Sequence, residues 1–479
     1  MLDLSPHSHP SVYLTPDVPG IGGLIKQRPD DFLVEEVPLY QPCGTGEHIY
    51  LFVQKRGLST QQLVAILARH FRVRESDVGY AGLKDKQAIT RQVMSVHTPG
   101  KVPEDFPQIR DDRVAVLWSD LHTNKLRRGH LHGNRFSIRV RGVPLRAVFD
   151  AKRVLECLDA VGVPNRLGEQ RFGALQNNHL IGRALILGDH QAALDLLLGP
   201  GSQACLSEAN TRARELYAAK QYTEAIAFYG RGSMPERRAL AALARGANPR
   251  RACDQLRGLS MGFFLSSFQS AVFNAVLDRR LRDGKLGTLI EGDLAWRHEQ
   301  GAGAGAVFKV DAPTLASAET AERLAAKAIS PSGPMWGSEM LRATGETDRT
   351  ELEALAAMGV TPEHLGPAHA QLGDELRGER RPLRVPLMYA EVDAGGDEHG
   401  SYVRCGFELP PGAFATVVMD EVMKVHAPFT PDSPDSPDTS DTPDTPDMSD
   451  TSESPDAPPN SAEREPKGGR EPKDDEAHP

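Results

Sequence analysis

The chain has 479 residues, too many for one ordinary core, so two or three domains are expected. Its formal net charge of −10 would exclude a nucleic-acid partner only if evenly spread; from Pro431 onward 10 Asp and 5 Glu stand against 4 Lys or Arg, leaving residues 1–430 near neutral and free to carry basic patches. No apolar run approaches the roughly 18 residues of a membrane span, no basic-then-apolar leader opens the chain, and five scattered cysteines lack a C-x-x-C pair, so a cytoplasmic protein with reduced thiols and no membrane partner is expected.

Residues 1–158 read as mixed α/β. "SVYLT" (11–15) and "HIYLFVQKRG" (48–57) have the alternation or β-branched and aromatic content of strands. Ser59 and Gln62 spell a capping box, and Leu63, Val64, Leu67 and Phe71 share one face of the helix that follows. "QVMSVH" and "RFSIRVRG" return to the period of a strand. From 159 to 383 the texture is Ala-, Leu- and Arg-rich and helical by period, as in "DHQAALDLLLG" and "TRARELYAAKQYTEAIAFYG". Strand-like segments come back over 384–430 ("LRVPLMYAEVD", "SYVRCGFELP"), which suggests a helical insertion within one α/β domain. The Pro-Asp-Ser/Thr tail, 431–479, has too few apolar residues to offset the entropy of ordering and is expected to be disordered.

Several motifs fail on context. "GAGAGA" (301–306) is spelled like a dinucleotide loop but precedes "VFKVDAP" where a phosphate-binding helix should start. His130 and His132 would share a strand face, yet no third metal ligand is evident. The segment from His122 to Arg146 is more informative: Lys125, Arg127, Arg128, Arg135, Arg139, Arg141 and Arg146 occur with no carboxylate among them. In its strand, Phe136, Ile138 and Val140 would face a core and Arg135, Arg139 and Arg141 a phosphate backbone; a merely solvated face is the competing reading. In "GYAGLKDKQAITRQ" (79–92), Asp85 stands between Lys84 and Lys86. Such an Asp is ordinarily a turn residue. Here the glycines would let a partner approach closely, and neighbouring ammonium groups would hold the carboxylate ionised, below its reference pKa of about 3.9, as a nucleophile or base needs.

Taken in order, "PDDFLVEE", "GYAGLKDKQAITRQ", "HLHGNRFSIRVRG", "LGEQRFGALQNN" and "FELPPGAFATVVMDE" resemble the TruD-type tRNA pseudouridine-13 synthases over roughly residues 20 to 425. The resemblance implies an α+β pseudouridine-synthase fold, a mixed sheet around a catalytic cleft, interrupted by the family's helix-rich insertion domain. It implies an isomerase of tRNA uridine that needs no cofactor or metal. The family's nucleophile falls on Asp85; positions around the target base fall on Phe32, Asn134 and Phe407, with Phe136 as the stacking aromatic unless it is only a core residue. Lys26 stands where the family has a basic partner for the Asp, while Lys84 and Lys86 are close in sequence. Lys125, Arg127, Arg128, Arg135, Arg139 and Arg141 would then contact the RNA backbone. Two departures are visible: Arg166 and Leu167 replace aromatics common before "GEQRFG", and Phe414 stands where Tyr is also common. Without an extended apolar stripe, a monomer is expected. A non-catalytic RNA binder and a nucleoside hydrolase are the alternatives.

Overall fold

The computed structural model describes residues 2–200, 207–230, 232–298 and 305–425. The acidic tail and Gly301–Ala304 of "GAGAGA" lie outside the described residues. The N-terminal part contributes strands β1 (Phe32–Pro38), β2 (His48–Arg56), β3 (Val78–Tyr80), β4 (Ile89–His97), β5 (Val114–His122) and β6 (Leu131–Arg141), with helices α1 (Thr60–Phe71) and α2 (Val148–Val161). A short strand, β7 (Val163–Pro164), leads into a mostly helical stretch: α3 (Asn178–Ile186), α4 (His190–Leu198), α5 (Glu208–Ala218), α6 (Tyr222–Ile226), α7 (Met234–Ala244), α8 (Pro249–Cys253) and the long α9 (Leu259–Arg282). Strands β8 (Leu294–Arg297), β9 (Val307–Lys309) and β10 (Ile329–Met335) alternate with α10 (Ala312–Ala316) and α11 (Ala318–Ala325), before α12 (Gly345–Ala357) and α13 (Pro362–Leu372). The chain closes with β11 (Glu379–Pro382), β12 (Arg384–Val385), β13 (Met388–Asp397), β14 (Gly400–Leu409) and α14 (Ala415–Met423).

Two sheets organise these elements. The larger has the order β13-β14-β6-β1-β4-β2-β5 with β3 on β4, so the last two strands of the chain pair with the first six across the helical stretch. β1 runs parallel to β4; every other pairing in this sheet is antiparallel. The smaller sheet is β11-β10-β8-β9, and β12 pairs with β7. One face of the large sheet carries Phe32, Val34, Phe136, Ile138, Val140, Val403, Cys405 and Phe407, packed against α2 and α14. Toward β2 the same face meets α1 through Leu51, Val53, Leu63, Leu67 and Phe71. Burial of these side chains, each favourable by about 1.5–3 kcal/mol, is what sets the register.

The capping box forms as spelled: Ser59 Oγ accepts from Gln62 N, and Gln62 Oε1 accepts from Ser59 N. The strand expected at "SVYLT" does not form. Its backbone donors are taken by a carboxylate instead, Leu14 N reaching Glu421 Oε1 at 2.8 Å and Thr15 N reaching Glu421 Oε2 at 3.3 Å. Helix α9 also qualifies the apolar-run argument. It is long and apolar enough to cross a bilayer, but 72% of its most apolar 18-residue window is buried in the molecule, where it is the central helix of the helical stretch.

Candidate active site

Asp85 lies in the connection between β3 and β4, and its carboxylate meets Lys26: Nζ to Oδ2 is 3.0 Å. Lys26 follows the bridge of Leu24 to Arg141 and has φ +58°, a left-handed conformation disfavoured for a residue with a Cβ. Its ammonium also lies 4.5 Å from the centre of the Phe32 ring. Burial alone would raise the Asp85 pKa; the charge and hydrogen bond of Lys26, helped by Lys55 and Lys84, outweigh it and hold the carboxyl below its usual range. The side chain nevertheless keeps 42% of its surface. The carboxylate is thus desolvated by surrounding protein on one side and open to solvent on the other.

The two lysines nearest in sequence do not share this contact. Lys84 turns inward and donates from Nζ to Glu36 Oε2 at 2.7 Å, both side chains being buried. Glu36 uses its other oxygen to accept from Val93 N at 3.1 Å, and Thr60 Oγ1 accepts from Lys84 N at 3.0 Å. Lys86 forms none of the contacts described here. A residue the sequence reading overlooked does more: Lys55 is fully buried, and its Nζ donates to the carbonyls of Leu58, Lys84 (3.2 Å) and Asp85 (2.9 Å). The signal was present, because two-residue alternation in "LFVQKR" puts Lys55 on the buried face with Leu51 and Val53. The close approach expected of the glycines is made by Gly79, but toward protein. A Cβ there would lie 2.3 Å from Leu126 O.

Strand register gathers the remaining site residues. Asn134 is directly opposite Glu36 on β1 and Leu409 on β14, while Phe136 is opposite Val34 and Phe407. Asn134 is thus the cross-strand neighbour of Glu36, whose ion-pair partner Lys84 precedes Asp85 in the chain, while Lys26 links Asp85 to Phe32. Phe136 and Phe407 are tilted rings 5.5 Å apart. Phe32 and Phe407 are each 1% exposed and Phe136 8%, so these rings are core residues rather than an open stacking face. Asn134 Oδ1 is buried and has no hydrogen-bond partner among the described residues. An orphaned acceptor costs about 1–3 kcal/mol unless something donates to it.

The basic segment divides. Lys125, Arg127 and Arg128 occupy the turn between β5 and β6, which docks on the Asp85 loop through Gly129 N to Ala81 O at 2.8 Å. Arg127 is exposed; Lys125 Nζ donates to Ser76 O and Arg128 to Tyr80 Oη. On the strand, Arg135 meets Glu408 at 3.4 Å and Glu35 at 3.7 Å, and Arg139 meets Asp397 at 3.5 Å. Arg141 corrects the expectation of a phosphate contact. It is 5% exposed and chelated by Asp31 (2.6 Å) and Asp397 (2.7 Å), a structural ion triad. Counting charge within one segment missed the acids that neighbouring strands supply. The departure at Arg166 is likewise resolved: it is buried against Asp278 and donates to His7 O, so an ion pair fills that space.

The fold, a mixed sheet whose strands come from either side of a helical stretch, has a solved counterpart. A crystal structure described as a putative tRNA pseudouridine synthase D (TruD) from Methanosarcina mazei superposes with a TM-score of 0.75, covering 88% of this chain and 97% of that one at 26% identity. The fold is thus of the class that structure represents. A family profile described as tRNA pseudouridine synthase D (TruD) matches residues 10–422. Proteins named tRNA pseudouridine synthase D from Geobacter metallireducens and Geobacter sulfurreducens are 43% and 40% identical, over 86% and 87% of this chain and 97% of each relative. The chain belongs to the TruD family of tRNA pseudouridine synthases.

Proposed function

We propose that this chain isomerises a uridine of tRNA, at position 13, to pseudouridine, with Asp85 as the nucleophile. The observation that carries the reading is the Asp85–Lys26 pair: a carboxylate kept ionised at 3.0 Å from an ammonium, with 42% of its side-chain surface open to solvent. The reaction must break C1′–N1, turn the uracil and join C5 to C1′ without a redox change. An ionised Asp85 can attack C1′ or C6, or remove a ribose proton. Lys26 then holds a counter-charge against the carboxylate in its ionised state. Asn134 Oδ1, buried and without a partner among the described residues, is an acceptor suited to the N3–H of a uracil taken out of its stack. Phe32, Phe136 and Phe407 are buried core rings, so in this reading they fix the strands that carry Asn134 rather than stack openly on the base.

Lys125, Arg127 and Arg128, on a turn hydrogen-bonded to the Asp85 loop, supply positive charge for the RNA backbone. In the same reading residues 159–383 are an insertion between catalytic segments 1–158 and 384–430, and the protein acts as a cytoplasmic monomer without cofactor or metal. The test is unmodified tRNA carrying tritium at C5 of uracil. Isomerisation releases tritium to water, since C5 loses its hydrogen on bonding C1′, and Asp85→Asn abolishes release. An Asn variant as active as wild type overturns the assignment. Free labelled uracil would identify a hydrolase, and binding without release an RNA binder.

A further inference from the structure

Two arginines outside this site are hard to account for as structure alone. Arg171, in the tight turn Glu169–Phe172, is 4% exposed; Arg381, in β11, is partly exposed. Neither has a carboxylate within 4 Å among the described residues. Arg171 donates from Nη1 to Ser266 Oγ at 3.2 Å and lies 5.9 Å from the Phe263 ring centre. Arg381 donates from Nη2 to Asn165 Oδ1 at 2.7 Å and to Gly412 O at 2.9 Å, with the Phe273 ring 5.8 Å away. The Nε of each is buried with no acceptor. Burial pushes both guanidiniums down to about 10, at Arg381 with help from the charge of Arg171; Glu379 is the acid that opposes this at longer range, its own carboxyl raised by burial. Two like charges desolvated together, without a contacting anion, are costly unless a ligand supplies one.

Chain connectivity says where this happens. Gly412, whose carbonyl Arg381 holds, is three residues beyond Leu409, and Leu409 is the direct cross-strand partner of Asn134. Three residues span at most about 11 Å. Adding the cross-strand step of about 5 Å and the hydrogen bond to Gly412 puts Arg381 within about 20 Å, some three nucleotides' reach, of the amide that would read the base. A planar guanidinium fork matches a phosphate better than any other backbone group.

We propose that Arg381, backed by Arg171, is a phosphate site that takes one backbone phosphodiester of the RNA strand beside the target uridine. This rests on the RNA reading above. The experiment compares wild type and R381Q for tRNA affinity across a salt series, with tritium release followed in parallel. Losing one phosphate contact makes the slope of log affinity against log salt shallower by about 0.7–0.9 and weakens binding several-fold near 0.1 M salt. R381K, which keeps the charge, retains most of the slope. A folded R381Q with the wild-type slope and affinity overturns the proposal while tritium release stands. Tight wild-type binding without tritium release, with the slope change present, instead overturns the isomerase reading and leaves the phosphate site in place. Should R381Q lose its far-UV circular dichroism, R171Q reads the same slope, and a wild-type slope there overturns the proposal equally.

Discussion

Replacing Lys26 by Met removes the ammonium from Asp85 while keeping an unbranched stem over Phe32. At 3.0 Å the pair's Coulomb attraction is about 1.4 kcal/mol in bulk water and about 5.5 kcal/mol at an effective dielectric constant of 20. Asp85 keeps 42% of its surface, so the solvent-screened end of that range applies, roughly 1.4–3 kcal/mol. That corresponds to a rise of about 1–2 pKa units. The sign follows from the charge: Lys26 favours the ionised form, so its loss raises the pKa, and burial, the opposing influence, is then less well countered by Lys55 and Lys84 alone. The acid limb of the pH–rate profile, read by single-turnover tritium release, should move up by about 1–2 units in K26M and return toward wild type in K26R. If K26M loses rate at every pH with its acid limb unmoved, Lys26 does not act by holding Asp85 ionised, and the electrostatic argument fails.

Further outcomes follow from four other charged residues. Lys55→Met leaves the carbonyls of Leu58, Lys84 and Asp85 without their shared donor; a loss of about 3 kcal/mol by urea unfolding is expected, and kcat should fall more than KM rises because the nucleophile's backbone loosens. Arg141→Met should cost about 3–5 kcal/mol by exposing Asp31 and Asp397 to each other, without changing the salt slope of tRNA binding, whereas Arg127→Ala should change that slope by about 0.7–0.9 and leave stability alone. Asp420, beside Arg166 and Glu421, is pushed by burial from 3.8 up to about 6, with His9 and Arg166 opposing. A raised carboxyl costs stability as pH climbs from about 4 to 6, so Asp420→Asn should stabilise the protein at pH 7.5 by up to about 3 kcal/mol, less what solvent screening removes, and have no effect near pH 3.5. A thermal-melt series that shows equal gains at both pH values would remove Asp420's titration as the cause.

Local patterns were readable where one residue's neighbours in sequence are also its neighbours in space. The α1 cap at Ser59 and Gln62, its buried stripe, and the inward face of β6 are of this kind, since helix and strand periodicity fix which side chains share a face. The order of five motifs sufficed for the family and for Asp85 and Asn134 as the residues to examine. Electrostatics was not readable in this way. Lys84 adjoins Asp85 in sequence yet pairs with Glu36, while the lysine that meets Asp85 comes from 59 residues earlier in the chain. Arg141 looked free because its acids, Asp31 and Asp397, arrive on other segments, and "SVYLT" looked like a strand because nothing nearby announced that Glu421 would take its donors. Charge pairing depends on separations of a few ångströms that chain topology sets. Sequence therefore determined which faces are buried and which residue types are available, and only the tertiary structure decided which charge meets which.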